Sequence, residues 1–168
     1  MTGRPSRIDP VQLRRALGVF ATGVALVTTR DAAGTAVAMT INSFSPVSLE
    51  PPLVLWSLRR QSGRHAIFTA ASDWVVNVLH RAQRPLARRF AARDGGCAAG
   101  LPLRPGTGAV PVLEGALASF ECRRQHVMEL GDHSVLVGEV IALHHCGGEP
   151  LVFHEGRFGG APAQLAPG

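Results

Sequence analysis

At 168 residues, with 46% hydrophobic and 17% charged residues, the chain has the composition of one globular domain, long enough to bury about two-thirds of its unfolded surface without disulfides or metals. Its formal charge of +5 rests on 17 basic residues that are all arginine, and the absence of lysine excludes Schiff-base catalysis and the phosphate-binding lysine of nucleotide loops. The arginines are spread along the chain among acids, with no tyrosine and two tryptophans, unlike the charged stripes and stacking platforms of nucleic-acid binders.

Asp9-Pro10 before Val11, Leu13, Leu17 and Phe20 reads as an N-cap, a first-turn proline and an apolar stripe at helical spacing, so a helix of about three turns opens the domain, with Gly23 in the turn that ends it. Val24 to Arg30 and Thr35 to Ile41 are rich in β-branched and apolar residues. Asp31-Ala32-Ala33-Gly34 between them carries hairpin chemistry, so the two strands pair antiparallel. A loop then leads to a third strand, Leu53 to Leu58, ended by the polar cluster Arg59 to Arg64. Ala66 to Ala71 reads as a short helix, and Asp73 to Leu79 as a fourth strand with Trp74, Val76 and Val78 on one face. Gln83 to Ala92 reads as a helix that buries Leu86, Phe90 and its alanines and exposes Arg84, Arg88 and Arg89. From Arg93 to Pro111 glycine and proline dominate, which predicts a long loop. Ala116 to Leu130 and His133 to His145 form a long hairpin about Gly131-Asp132. A last segment, Leu151 to Phe153, is followed by Gly156-Arg157-Phe158-Gly159-Gly160, and the tail from residue 161 to 168 is expected to be loosely ordered.

About seven strands joined mostly by hairpins, with two or three short helices, argue for a mainly β, antiparallel barrel in a single domain rather than a parallel α/β sheet. No Gly-x-Gly-x-x-Gly follows a strand, so a nicotinamide nucleotide is not held in the Rossmann manner. Cys97, Cys122 and Cys146 are odd in number and lack Cys-x-x-Cys spacing; the seven histidines lack metal-ligand spacing. Neither a disulfide framework nor a metal site is expected. The apolar runs are too short to cross a bilayer and the polar start has no apolar signal region behind it, so a cytoplasmic protein without an export signal is expected.

The segment from Met39 to Leu55 carries the most functional information. An apolar strand enters a hydroxyl- and amide-rich loop, Thr40-Ile41-Asn42-Ser43-Phe44-Ser45-Pro46, and returns through Pro51-Pro52 into another strand. Such a loop serves either as an ordinary connection or as a rigid edge whose hydrogen bonds meet a planar heteroaromatic ligand.

Six motifs in series carry a resemblance: Phe20-Ala21-Thr22-Gly23-Val24; Met39 to Phe44 with Ser48 and Pro51-Pro52-Leu53-Val54; Asn77-Val78-Leu79; Leu86 to Ala91; Gly131-Asp132-His133 with Val137-Gly138-Glu139-Val140; and Gly156-Arg157-Phe158. In this order and spacing, over roughly residues 10 to 160, the chain resembles the flavin reductase family that serves two-component flavin-dependent monooxygenases. The resemblance implies a split β-barrel of the FMN-binding type, a homodimer, and hydride transfer from NADH or NADPH to FMN or FAD, with reduced flavin passed to a partner oxygenase. By likeness of motif, Thr40, Ile41, Asn42, Ser43 and Phe44 would line the isoalloxazine ring, with Pro46 and Val47 just beyond. The segment Gln61, Ser62, Gly63, Arg64, His65, Ala66 and Ile67 would meet the ribityl phosphate, supported by Arg89 and Phe90. His133 would face the nicotinamide, and Gly156, Arg157 and Phe158 would help form that side.

The division suits the chemistry, since a ring edge takes amide and hydroxyl partners whereas a phosphate takes arginine, serine and backbone N–H groups. Direct hydride transfer needs positioning residues and no general base. Three departures from the family pattern stand out: Gln61-Ser62-Gly63-Arg64 replaces a Ser/Thr run, which leaves FMN and FAD both open; Pro46 removes a hydroxyl and an N–H; Phe158 keeps the stacking surface of the usual tyrosine without its hydroxyl. The alternative of a different class is a module that holds FMN tightly as an electron carrier or redox sensor, without fast NAD(P)H turnover.

Overall fold

The Asp9 side chain accepts a hydrogen bond from the Val11 N–H and Pro10 fills the first turn, so the chain opens with the helix its sequence dictates, α1 (Pro10–Gly18). The computed structural model describes residues 8–92 and 96–160. No residue of α1 is buried, and Val11, Leu17 and the following Phe20 are 58%, 66% and 77% exposed. Gly23 does not lie in the turn after the helix: it belongs to a short strand, β1 (Thr22–Gly23), paired with Val152, because Val19 and Phe20 already close α1 through their own backbone bonds.

The hairpin of β2 (Ala25–Arg30) and β3 (Ala36–Ile41) forms as read, with Gly34 at φ 80°. The stretch after it is not wholly loop. Ser45–Leu49 makes an edge strand, β4, on β5 (Pro52–Arg59), and Pro46 is tolerated because an edge strand has one unpaired side. There follow α2 (His65–Ala70), β6 (Asp73–Val78), a 3-10 turn over 81–83 and α3 (Arg84–Ala91). The expected long loop from 93 to 111 holds two short elements, β7 (Leu103–Pro105), which pairs with β8 (Pro111–Leu113), and a 3-10 turn at Thr107–Ala109; residues 93–95 lie outside the described residues. The long hairpin is β9 (Ala118–Leu130) and β10 (His133–His145), and the chain ends in β11 (Leu151–His154) and β12 (Arg157–Gly160). Glu155 and Gly156, both at positive φ, turn the last hairpin in the manner of a two-residue connection. The tail 161–168 is outside the described residues.

The strands pair antiparallel as expected, but among the described residues they number twelve rather than about seven. Seven form the main sheet in the order β3-β2-β6-β9-β10-β5-β4, and β1, β11 and β12 form a second. The hydrogen-bond ladder does not close, with β3 and β4 as its two ends, which is the split form of the barrel. Its interior is filled by alternate residues of the strands: Ala25 and Val27, Met39 and Ile41, Val54, Trp56 and Leu58, Trp74 and Val76, and Leu136, with Phe68 of α2 as the plug. Trp56 meets Phe68 and Trp74 edge to face at ring distances of 5.3 and 5.8 Å. The other face of β2 and β3 is covered too, since Val24, Leu26 and Ala38 pack with Ala87 and Phe90 of α3 and Leu151 of β11. The outer face of β6 is covered by Val110 and Val112, so β6 buries Val75 and Asn77 as well as Trp74 and Val76. Asn77 is satisfied there by the Leu26 carbonyl, Thr28, Ser119 and the Leu113 N–H. No described helix is long and apolar enough to cross a membrane.

Candidate functional site

On β5, the residues Val54, Trp56 and Leu58 point into the barrel, so Ser57 and Arg59 lie on its outer face. Beside that face the chain leaves a cavity of about 690 Å³, within the usual range of small-molecule sites. The end of β3 supplies Thr40, Ile41, Asn42 and Ser43 to its wall; the turn after β5 supplies Gln61, Ser62, Gly63 and Arg64; His133 enters from the start of β10. These nine sequence-predicted residues are therefore brought together from three separate stretches.

The details show which of them are free to act. Thr40 donates its hydroxyl to the Ala87 carbonyl at 2.9 Å, which ties α3 to the strand. Ser43 Oγ accepts from the Ser57 N–H at 3.0 Å and donates to the Ser57 carbonyl at 3.1 Å, so it clamps the loop to β5. Asn42 is exposed and its amide has no partner among the described residues. It is the polar group of the loop left for a ligand. Ser62 Oγ accepts from the Arg64 N–H, which shapes the turn, and a side chain at Gly63 would meet open space. Arg64 is 7% exposed, and its guanidinium donates to the carbonyls of Phe90 at 3.1 Å and Ala92, which caps the end of α3 with a cation.

His133 Nδ1 lies 2.8 Å from the Asp132 carboxylate. The hydrogen bond from His133, its charge and, more weakly, that of Arg59 hold the Asp132 carboxyl below its ordinary pKa. Ionised, Asp132 can only accept, so Nδ1 carries the proton and Nε2 is the ring nitrogen left for a ligand. His133 stands directly opposite Arg59 in the β5–β10 register, and both line the cavity.

The remaining expected residues lie elsewhere. Phe44 stacks on Phe120 at 5.5 Å and packs against the barrel core. Pro46 and Val47 are exposed on β4, away from the cavity wall. His65 Nε2 bonds the Ser134 hydroxyl at 2.9 Å, and Ala66 and Ile67 line a separate cleft beside Thr29 and Asp73. Phe90 is fully buried, and the Arg89 guanidinium lies over its ring at 4.8 Å and donates to the Ala99 carbonyl. Gly156 and Arg157 are exposed at the β11–β12 turn. Phe158 packs on Phe153 in a smaller cleft that shares Thr40, Ile41 and Asn42 with the main cavity. Sequence reasoning missed Met39, Ser57, Leu58, Arg59, Ala91 and Ala92 in the wall. Arg59 was accessible from strand alternation, but nothing local marks the end of α3 as a wall. Among the described residues no group of three or more His, Cys, Asp or Glu gathers to hold a metal.

The donors present fit a flavin. The end of β3 as a fixed wall, an unpartnered amide at Asn42, and a guanidinium at Arg59 match a flat heteroaromatic ring with an anionic chain.

The chain matches the family model described as "Flavin reductase like domain" over residues 17–162. It is 45% identical over 146 residues to "FMN reductase (NADH) SmoA" of Agrobacterium fabrum, covering 87% of this chain and 83% of that protein. It is 38% identical over 154 residues to "Flavin-dependent monooxygenase, reductase subunit HsaB" of Rhodococcus jostii, covering 91% and 78%. Among solved structures, the Streptomyces globisporus NADH:FAD oxidoreductase SgcE6, in complex with NAD and FAD fragments, superposes with a TM-score of 0.86 at 35% identity over 96% of this chain and 99% of that one. Other matched proteins are about twice as long, the chain covering 48% of one relative and 53% of one solved chain. With these matches spanning nearly the whole of the open antiparallel sheet and its flanking cavity, the chain belongs to the flavin reductase-like domain family.

Proposed function

We propose that this chain, acting as one domain, is an NAD(P)H:flavin oxidoreductase that reduces FMN or FAD and hands the reduced flavin to a partner flavin-dependent monooxygenase. The observation that carries this reading is the cavity on the outer face of β5, where the unpartnered Asn42 amide, the Gly63 turn and His133 converge in a chain of this family. Relatives named for NADH support NADH as the donor, and relatives named as reductase subunits of monooxygenases support an oxygenase as the acceptor protein.

Flavin supplies a ring that accepts hydride at one nitrogen. The protein supplies position. Asn42 holds the polar ring edge, the end of β3 forms the wall beside it, and Ser43 and Thr40 spend their hydroxyls on keeping that wall rigid. His133, with its proton fixed on Nδ1 by Asp132, offers Nε2 to the carboxamide of the nicotinamide. Phe158 lies across the Thr40–Asn42 segment and adds stacking surface there.

The homodimer is supported by α1. A nine-residue helix with no buried residue has little stability of its own in water, and its stripe of Val11, Leu13 and Leu17 needs an apolar partner surface. Light scattering is expected to give a dimer, and Leu17→Glu to convert it to monomer; a wild-type monomer contradicts the reading.

Anaerobic stopped-flow absorbance tests the activity. Protein-dependent bleaching of oxidised FMN or FAD by NADH or NADPH is expected. Bound flavin that stays oxidised through many equivalents of both donors would replace the reductase with a carrier or sensor.

A further inference from the structure

The end of β5 and the turn that follows it offer three arginines to an anionic ligand, and the structure gives them different employment. Arg64, the one closest to a family phosphate-binding turn in sequence, is buried and bonded to the carbonyls of Phe90 and Ala92. Drawing it out to a ligand would strand those carbonyls at the end of α3. Arg60 lies 3.3 Å from Glu129 across the sheet and does not line the cavity. Arg59 does line it, is exposed, and has no hydrogen bond or ion pair within the described chain.

Strand geometry explains the difference. Arg59 follows Leu55 and Ser57 on the outer face of β5, and its register partner is His133, so the two side chains leave the sheet side by side toward the same space. The acid felt there is Asp132, whose carboxylate is hydrogen-bonded by His133 and feels Arg59 only as a weaker charge without a hydrogen bond or ion pair to it. Gly63 lines the same cavity, and a Cβ added there would meet no atom within 4 Å, so the turn is open at that point.

We propose that Arg59, and not Arg64, binds the phosphate monoester of the nucleotide held in this cavity, while Arg64 is a structural clamp between the turn and α3. A planar guanidinium with its donors uncommitted makes a paired contact to phosphate oxygens. The assignment rests on the reading of the cavity as the flavin site. The same chemistry has two sources, the terminal phosphate of FMN and the 2′-phosphate of NADPH, and the test separates them.

Equilibrium titrations of FMN and riboflavin, with Michaelis constants for NADH and NADPH, are compared for wild type, Arg59→Gln, Arg60→Gln and Arg64→Gln. If the flavin phosphate is the ligand, Arg59→Gln weakens FMN about tenfold and leaves riboflavin within about twofold, so the preference for FMN collapses. If the nicotinamide phosphate is the ligand, Arg59→Gln instead raises the NADPH constant about tenfold and spares NADH. Arg60→Gln changes neither ratio, and Arg64→Gln lowers the urea midpoint and weakens FMN and riboflavin alike. Unchanged ratios in Arg59→Gln overturn the proposal, as does an Arg64→Gln protein of normal stability that loses FMN affinity alone. Absence of saturable flavin binding by wild type is a different failure: it removes the flavin-site reading itself, and this assignment with it.

Discussion

The two faces of β5 are built from neighbouring residues of one strand, yet they obey different rules. The inner face, Val54, Trp56 and Leu58, is packed against Phe68, Trp74 and Leu136 and leaves no room. The outer face, with Ser57 and Arg59, borders a cavity of about 690 Å³ in which polar groups are held short of full satisfaction. The inner face fixes the strand so tightly that the outer face can present Asn42, Arg59 and His133 without collapsing on them. Rigidity and vacancy are separated by a single pleat.

That separation makes the two faces separately breakable. The largest effect belongs to the inner face. Trp56→Ala removes a fully buried indole that touches Phe68 and Trp74, and about 3–5 kcal/mol of stability should go with it, read as a lower urea midpoint at unchanged flavin stoichiometry in the fraction still folded. Close approach gives the same face its limit at Gly138, where a Cβ would stand 2.6 Å from the Trp74 ring.

On the outer face, Asn42→Asp should weaken flavin at least about tenfold with the urea midpoint unmoved, because a charge replaces the amide donor beside an electron-rich ring. A midpoint that falls with the affinity would mean that Asn42 belongs to the packed side after all. His133→Ala should have a smaller effect, raising the NADH Michaelis constant or slowing hydride transfer severalfold while flavin titration is kept; equal loss of flavin would move His133 to the flavin's own wall.

The smallest effect is the pH dependence of the Asp132–His133 pair. The hydrogen bond from His133 favours ionised Asp132, so the folded-state pKa lies below the unfolded one. Its contribution is complete above the ordinary carboxylate range, about pH 4, and is lost only as pH falls through the lowered value. The NADH Michaelis constant should therefore show no Asp132 inflection between about pH 5 and 8. An inflection that disappears in Asp132→Asn would show that the pair titrates in function.

Much of the architecture was legible before any coordinates. The β2–β3 and β9–β10 hairpins and α2 and α3 fall within a residue or two of their sequence bounds, because alternation and turn glycines are local signals. The short strands β1, β4, β7, β8 and β12 were not legible. Each is two to five residues long and exists because a distant strand offers it a ladder, as β5 does for the proline-bearing β4.

The site divides in the same way. Sequence order was enough to nominate Thr40 to Ser43, Gln61 to Arg64 and His133, because motif spacing survives in the chain itself. Likeness of motif placed Thr40, Ser43 and Arg64 against the ligand. The tertiary structure spends all three on the protein's own backbone and leaves Asn42 and Arg59 uncommitted. Hydrogen-bonding capacity belongs to a residue and can be read from its letter; whether that capacity is already used depends on which carbonyls from α3 and β5 arrive beside it, and only the fold brings them there.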